Sequence, residues 1–373
     1  MNTKKAQKEI GKLIQTLREE KGFTQKELAR ALKTTQSAVA RIEQGAQNLS
    51  TGTLAKISEA LGKDIITISD GHLNFEIEGG RKLKGSVTTS TSKNGAVGLL
   101  CASLLNYGKT TLYDVPHIEE VNRILEVLES IGVRISWKGA TLTLERPEVL
   151  NLRSINKEAA KKTRSIVMLI GPLIHELPQF SLPQSGGCKL GSRTVRPHFY
   201  ALEGFGVSIE AKEGEFRIKT KRKKPKEIIL YESGDTVTEN ALMAAALSPS
   251  PVILKYASAN YQVQELCFFL EKLGVKIEGI GTTTLTITGV PEIKENVEYS
   301  LAEDPTDTMF FIAAAIVTSS GIVIKRAPID FLELELLKLE KMNFKFSLST
   351  PYLSKNGKTK LVDITTKPSK LVA

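Results

Sequence analysis

The chain predicts a small all-α helix-turn-helix domain followed by a larger α/β domain built from a repeated helix, strand, helix, strand, strand unit. Three observations carry this reading. Residues 8 to 66 hold closely spaced, capped amphipathic helices; after residue 71 the helical pattern gives way to strand alternation; and similar segments then recur at intervals of about seventy residues. With 373 residues, 41% hydrophobic and 25% charged, the sequence is ordinary globular material, which excludes a disordered chain. Its 51 Lys and Arg against 41 Asp and Glu leave a net charge of +10, which favours polyanionic partners, nucleic acid or phosphorylated small molecules. A merely solvated basic surface is the alternative. No apolar run approaches the ~20 residues needed to cross a bilayer, and three cysteines fit a reducing cytosol.

The first helix is expected from Lys8 to Glu20, with Ile10, Leu13, Ile14 and Leu17 on one face and Gly22 closing it. Thr24 then stands where a cap is needed before Gln25 to Leu32, and Thr35 does the same before Gln36 to Gln44. So short a connection cannot make an antiparallel pair. It fits the bent arrangement in which Leu28, Ala29, Val39 and Ile42 pack together and the second helix projects its first side chains outward. A fourth helix, Thr53 to Leu61, closes this core.

The second domain is expected to begin near residue 72, where Leu73, Phe75 and Ile77 alternate, followed by Leu83 and Val87. LEVLESIGVRISW, FYALEGFGVSIEA, CFFLEKLGVKIEG and LLKLEKMNFKFSL each end a helix at Gly132, Gly206, Gly274 or Asn343 and pass directly into an alternating strand. Each copy also has an earlier apolar helix (Gly95 to Leu105, Thr163 to Ile174, Glu239 to Leu247, Thr308 to Val317) and a strand at its midpoint. One unit alone leaves an apolar helix face uncovered, so the copies must pack with helices inward and sheets outside.

GFTQKELARALKTTQSAVARIEQG resembles the phage-repressor (Cro/XRE) helix-turn-helix family over about 55 residues, and that resemblance implies DNA binding. On the family pattern Gln36, Ser37 and Arg41 face base edges or phosphates, and Gln25 anchors to the backbone. Twelve Lys or Arg against seven Asp or Glu in residues 1 to 66 supply the attraction such binding needs. A helical protein-interaction module without DNA contact is the competing reading.

The repeats, together with TSKNGA at Lys93 and SLPQSGGCKLGSR at Cys188, resemble the enolpyruvyl transferase family, in its branch acting on UDP-N-acetylglucosamine. The resemblance implies an inside-out α/β barrel of two lobes, each of three repeats, with substrates in the cleft between them. Four copies against six imply an incomplete second lobe, truncated at its C-terminus. The expected division is residues 1 to 70 for the helix-turn-helix domain, 72 to 92 for a strand segment of the second lobe, 93 to 301 for the first lobe and 302 to 373 for a partial second lobe.

Cys101 and Cys267 lie in apolar helical runs and read as buried core residues. Cys188 stands instead in a glycine-rich polar loop beside Lys189, Arg193 and Arg196, which favour a thiolate; an inert loop cysteine is the alternative. Enolpyruvyl transfer needs cations for a phosphate and carboxylate, a proton donor for the methylene carbon and a base for the attacking hydroxyl. The resemblance makes Cys188 the acid, gives Lys93, Arg164 and Arg193 to phosphoenolpyruvate, and gives Asn94 to the amino-sugar. Lys93 and Asn94 follow Ser92 at a helix start, where an anion is welcome. Thr238, Glu239 and Asn240 keep a family string near the nucleotide, although such residues also make good helix starts.

Several departures bear on this. The resemblance places the base, an aspartate in a Pro-Thr-Asp string, and a late arginine beyond a strand resembling LVDITT, and the chain is expected to stop short of both; Asp304 and Asp307, in EDPTDTM, are read in a different register and not assigned as the base. Thr194, Val195, Arg196, Pro197 and His198 stand where the family places proline, valine, aspartate, leucine and histidine; ASANYQVQEL replaces a charged Arg-Glu-Pro-Glu string. Two functions therefore stay open. One is a cytosolic transferase moving enolpyruvate to the 3-hydroxyl of UDP-N-acetylglucosamine in peptidoglycan precursor synthesis, without cofactor or metal. The other is a non-catalytic transcriptional regulator sensing UDP-sugar or phosphoenolpyruvate. A shikimate-type synthase fits the GGC loop less well.

Overall fold

The computed structural model describes residues 3–32, 34–46, 51–61, 79–184, 194–221 and 223–372, which fall into two compact units, Met1–Gly80 and Arg81–Ala373. The strand expected at Leu73 to Ile77 lies outside the described residues.

In the first unit four helices, α1 (Thr3–Glu20), α2 (Gln25–Ala31), α3 (Gln36–Glu43) and α4 (Thr51–Leu61), enclose Ile14, Leu28, Val39, Ile42, Leu54 and Ile57. Thr24 begins α2 with a capping box: Glu27 N donates to its hydroxyl, and its own N–H donates to the Glu27 carboxylate at 2.7 Å. Thr35 caps α3 by accepting from Ala38 N. The buried Arg18 guanidinium donates to both carboxylate oxygens of Glu43, at 2.6 and 3.1 Å, and to Phe23 O. That bidentate pair ties α1 to α3, and its hydrogen bonds repay much of the desolvation of both charges.

The second unit opens with β1 (Ser86–Thr88). The first repeat holds α5 (Lys93–Ala102), β2 (Lys109–Tyr113), α6 (Glu119–Ser130), β3 (Arg134–Lys138) and β4 (Thr141–Glu145). The second holds α7 (Lys157–Lys161), a 3-10 segment (Arg164–Leu169) running into α8 (Ile170–Leu173), β5 (Gln179–Pro183), α9 (Arg196–Glu203), β6 (Val207–Lys212), β7 (Glu215–Thr220) and β8 (Glu227–Ile229). The third holds α10 (Asp235–Ala245), β9 (Val252–Lys255), α11 (Tyr261–Lys272), β10 (Lys276–Glu278), β11 (Thr284–Thr288) and β12 (Val297–Ser300). The fourth holds α12 (Pro305–Val317), β13 (Val323–Pro328), α13 (Glu333–Lys341), β14 (Lys345–Leu348), β15 (Tyr352–Leu353) and β16 (Lys360–Lys367). The helix expected from Thr163 to Ile174 is broken into 3-10 and α pieces; Pro172, lacking an N–H, cannot sit inside one continuous α-helix without losing a bond.

The expectation of an inside-out barrel is overturned. The strands form four separate open sheets, in the orders β1-β13-β16-β14 with β15 on β16, β10-β11-β9-β8, β12-β2-β4-β3 and β5-β7-β6, and among the described residues none closes on itself. Each sheet takes three or four strands from its own repeat and at most one parallel strand from elsewhere, so no ladder runs from one sheet to the next. The second unit is a mixed α/β domain.

Helices fill the larger of its two apolar cores. All of α5 from Gly95 to Ala102, the segment Ile166–Leu173, and nine consecutive residues of α10 are buried. Two buried carboxylates interrupt this apolar core. Glu265 on α11 lies against Gly95 and Glu239 on α10 against Gly98; a Cβ at those glycines would fall 1.9 and 2.7 Å from the carboxylate oxygens. The smaller second core, around Ile312, Ile324, Leu332 and Ile364, belongs to the fourth repeat. Its α12 is as apolar in composition as α5 and α10 but leaves Phe310 67% and Val317 80% exposed.

Two antiparallel segments run between the two apolar cores. Ser92 N donates to Ala302 O, Asp304 N donates to Ser90 O, and Thr91 is bridged to Glu303. Glu265 Oε1 accepts from Ala302 N at 2.5 Å, and Glu303, itself buried, pairs with Arg326.

Burial pushes the Glu265 carboxyl up to about 8, so it is neutral in the folded protein near pH 7. Because the folded state holds this proton more tightly than the unfolded chain, the associated stability is fully present below the ordinary carboxyl range and is lost as pH rises to about 8. Thermal melting of the wild type should therefore fall between about pH 5 and about pH 8 more than that of Glu265→Gln. Equal slopes would contradict a neutral Glu265.

Candidate functional site

The apolar helices of the larger core have no polar flank, so only their ends meet solvent, and their first residues converge. An open cleft of about 410 Å³ is lined by Lys93 and Asn94 of α5, Arg164 and Ser165 of the 3-10 segment, Asp235 and Thr236 at the start of α10, and Gln262 at the start of α11, with Glu120, His198 and Glu232 between them. Ser92 caps α5 by accepting from Gly95 N at 2.9 Å. Helix starts carry partial positive charge, and Lys93 and Arg164 add two cations to a lining that also holds the carboxylates Glu120, Glu232 and Asp235.

Lys93 Nζ lies 2.5 Å from Glu120 Oε2, and the other Glu120 oxygen accepts from Ser165 at 2.8 Å. Burial pushes the Glu120 carboxyl up, but Lys93 and the two neighbouring hydroxyls outweigh it and hold the group below its ordinary value. Glu120 thus ties two cleft-lining helix starts together. It escaped the sequence reading because Glu119 and Glu120 open a helix, where acids are favoured in any case. Arg164 donates to Thr194 O at 2.9 Å. Asp235 accepts from Ser258 at 2.5 Å and Asn260 at 2.9 Å.

Lys93, Asn94 and Arg164 therefore stand in one cleft. Cys188 and Arg193 lie outside the described residues. Thr238, Glu239 and Asn240 are buried behind the cleft wall. Thr238 binds Gly234 O and Ser258 N; Glu239 accepts from Gln262 and is held well above its ordinary carboxyl value by burial; Asn240 bridges Val167 O, Gly171 N and His198. Asp304 and Asp307 are engaged at the start of α12, Asp304 capping the helix and Asp307 accepting from Ser90 N. Cys101 and Cys267 are buried in the core, which pushes both thiols up.

In the first unit Gln36, Ser37 and Arg41 are exposed on α3, while the Gln25 amide donates to Glu43 at 2.9 Å. Gln25 is thereby joined to the Arg18–Glu43 pair.

Residues 77–371 match the family profile described as EPSP synthase (3-phosphoshikimate 1-carboxyvinyltransferase), and residues 14–68 match a helix-turn-helix profile. The chain belongs to the enolpyruvyl transferase family, joined to a helix-turn-helix domain, and is shorter than its full-length relatives. It is similar to UDP-N-acetylglucosamine 1-carboxyvinyltransferase 1 of Carboxydothermus hydrogenoformans, 31% identical over 79% of this chain and 70% of the relative. The corresponding Psychrobacter protein is 32% identical over 79% and 69%. Among solved structures, the enolpyruvyl transferase NikO from Streptomyces tendae aligns with a TM-score of 0.66 at 19% identity over 78% of this chain and 67% of its own. EPSP synthase from Acinetobacter baumannii aligns with a TM-score of 0.58 at 17% identity, over 78% and 66%. These two show the fold alone. No helix among the described residues is long and apolar enough to cross a membrane.

Desolvation, with the nearby Arg164 charge, lowers the His198 ring to about 3. Asn240 Oδ1 accepts from Gly171 N, so its Nδ2 faces His198 Nδ1 as donor, and the ring proton sits on Nε2 toward Thr236. A neutral Nε2–H ring is expected throughout the physiological range. An imidazolium signal at neutral pH in 15N-histidine NMR would contradict it.

Proposed function

We propose that this chain carries enolpyruvyl transfer from phosphoenolpyruvate to the 3-hydroxyl of UDP-N-acetylglucosamine, in peptidoglycan precursor synthesis in the cytoplasm, and that its first domain binds DNA. The reading rests above all on the convergence of Lys93, Asn94 and Arg164 at helix starts around one cleft. Lys93 and Arg164, with Arg193, hold the phosphate and carboxylate of phosphoenolpyruvate, and Asn94 holds the amino-sugar. Cys188 gives its proton to the methylene carbon, which leaves positive charge at the adjacent carbon for the sugar oxygen to attack. Loss of the sugar hydroxyl proton gives a tetrahedral adduct; loss of a methyl proton with phosphate then restores the double bond. No residue is assigned as the base. Thr238, Glu239 and Asn240, a family string near the nucleotide, are assigned to that end of the substrate site, where they lie buried beside the cleft. Residues 1 to 70 form the DNA-binding domain and 93 to 301 the first lobe; 72 to 92 join 302 to 373 in the second.

Inorganic phosphate release should require both substrates and fall about 100-fold or more in Cys188→Ala. Release from one substrate alone, or release indifferent to that change, would sink the reading.

A second function is favoured by one observation, the exposure of Gln36, Ser37 and Arg41 on α3 of a matched helix-turn-helix domain. In it, the transferase-like unit senses UDP-sugar or phosphoenolpyruvate and regulates transcription without turnover. It requires ligand-dependent, salt-sensitive gel shifts with no phosphate release. Arg41→Ala should weaken the shift at least several-fold under either function if α3 reads DNA; an unchanged shift would remove α3 from the DNA interface.

A further inference from the structure

Tyr261 stands where the resemblance leads one to expect a residue of a charged string. It is the first residue of α11, its own N–H held by Asn260, and it is 6% exposed. The cleft amide Asn94 donates to its hydroxyl oxygen at 3.3 Å. Its ring meets Phe331 edge-on, centroids 6.0 Å apart. One side of this residue therefore touches the capped start of α5, and the other touches the 3-10 turn Ile329–Phe331 of the second lobe. One helical turn later Glu265 binds Ala302 N, so the same face of α11 is stitched twice to the segments crossing between lobes. A phenylalanine would fill the same space; a buried hydroxyl is costly unless its bonds are made.

We propose that Tyr261 is a positioning residue for Asn94: its hydroxyl fixes the carboxamide that faces the acceptor, and its ring seats that hydroxyl against the second lobe. The geometry of the acceptor subsite is thereby set by where the second lobe stands. The assignment rests on the reading of Asn94 as an amino-sugar contact.

Calorimetric titration of the full chain with UDP-N-acetylglucosamine, and separately with phosphoenolpyruvate, tests it. Tyr261→Phe should weaken UDP-N-acetylglucosamine binding about fivefold, the effect of one hydrogen bond, and leave phosphoenolpyruvate binding and the melting temperature unchanged. In an Asn94→Ala background the same substitution should have no further effect. Unchanged affinity in Tyr261→Phe, equal losses for both ligands, or additive losses with Asn94→Ala would each overturn the positioning role while leaving the transferase reading standing. Failure of the wild type to bind UDP-N-acetylglucosamine would overturn that reading, and the positioning role with it.

Discussion

A helix that is apolar all round can be kept in water only by enclosing it, and that constraint organises the second unit. α5, the segment Ile166–Leu173 and α10 are enclosed by one another and by the sheets, which leaves their ends as the only places where backbone polarity reaches the surface. Their first turns come out together. The cleft and the grouping of Lys93, Asn94 and Arg164 are both consequences of burying the rest of each helix.

Enclosure also explains the polar residues that look misplaced. Glu239, Asn240 and Glu265 sit among apolar neighbours because they hold the helices in register: Asn240 satisfies backbone groups of the 3-10 segment and α8, Glu239 is tied to α11 through Gln262, and Glu265 holds Ala302 N. Gly95 and Gly98 are the other half of this arrangement, since any side chain there would displace a carboxylate. Protonation keeps the two acids compatible with their surroundings, so a polar network here supplies orientation at a cost in desolvation.

The sequence revealed local features and missed long-range ones. Thr24 and Thr35 announced the starts of α2 and α3 because capping is a property of a few adjacent residues. The recurring helix, glycine and strand announced the repeats for the same reason: Gly132, Gly206 and Gly274 all take the positive φ that the turn requires. Sheet closure is not local. β1, β8 and β12 pair in parallel with strands of other repeats, and nothing in the alternation of a three- or four-residue strand names its partner. In the site, Lys93 and Arg164 were legible as cations beside caps, whereas Glu120 was masked by its fitness for an ordinary helix start, and Tyr261 by looking like a mere departure from a family string.

The pairing of β12 with β2 has a further consequence. A strand at the far end of the third repeat is laid beside the first strand of the first, Val297 opposite Thr110 through Ser300 opposite Tyr113. The first three repeats thereby form a ring in sequence space, the beginning fastened to the end, and not a row of modules that can fray from one side. Such a ring loses its nearest-neighbour independence: opening any one repeat strips a strand or a helix from another, so the three should exchange their amide protons as a single cooperative body.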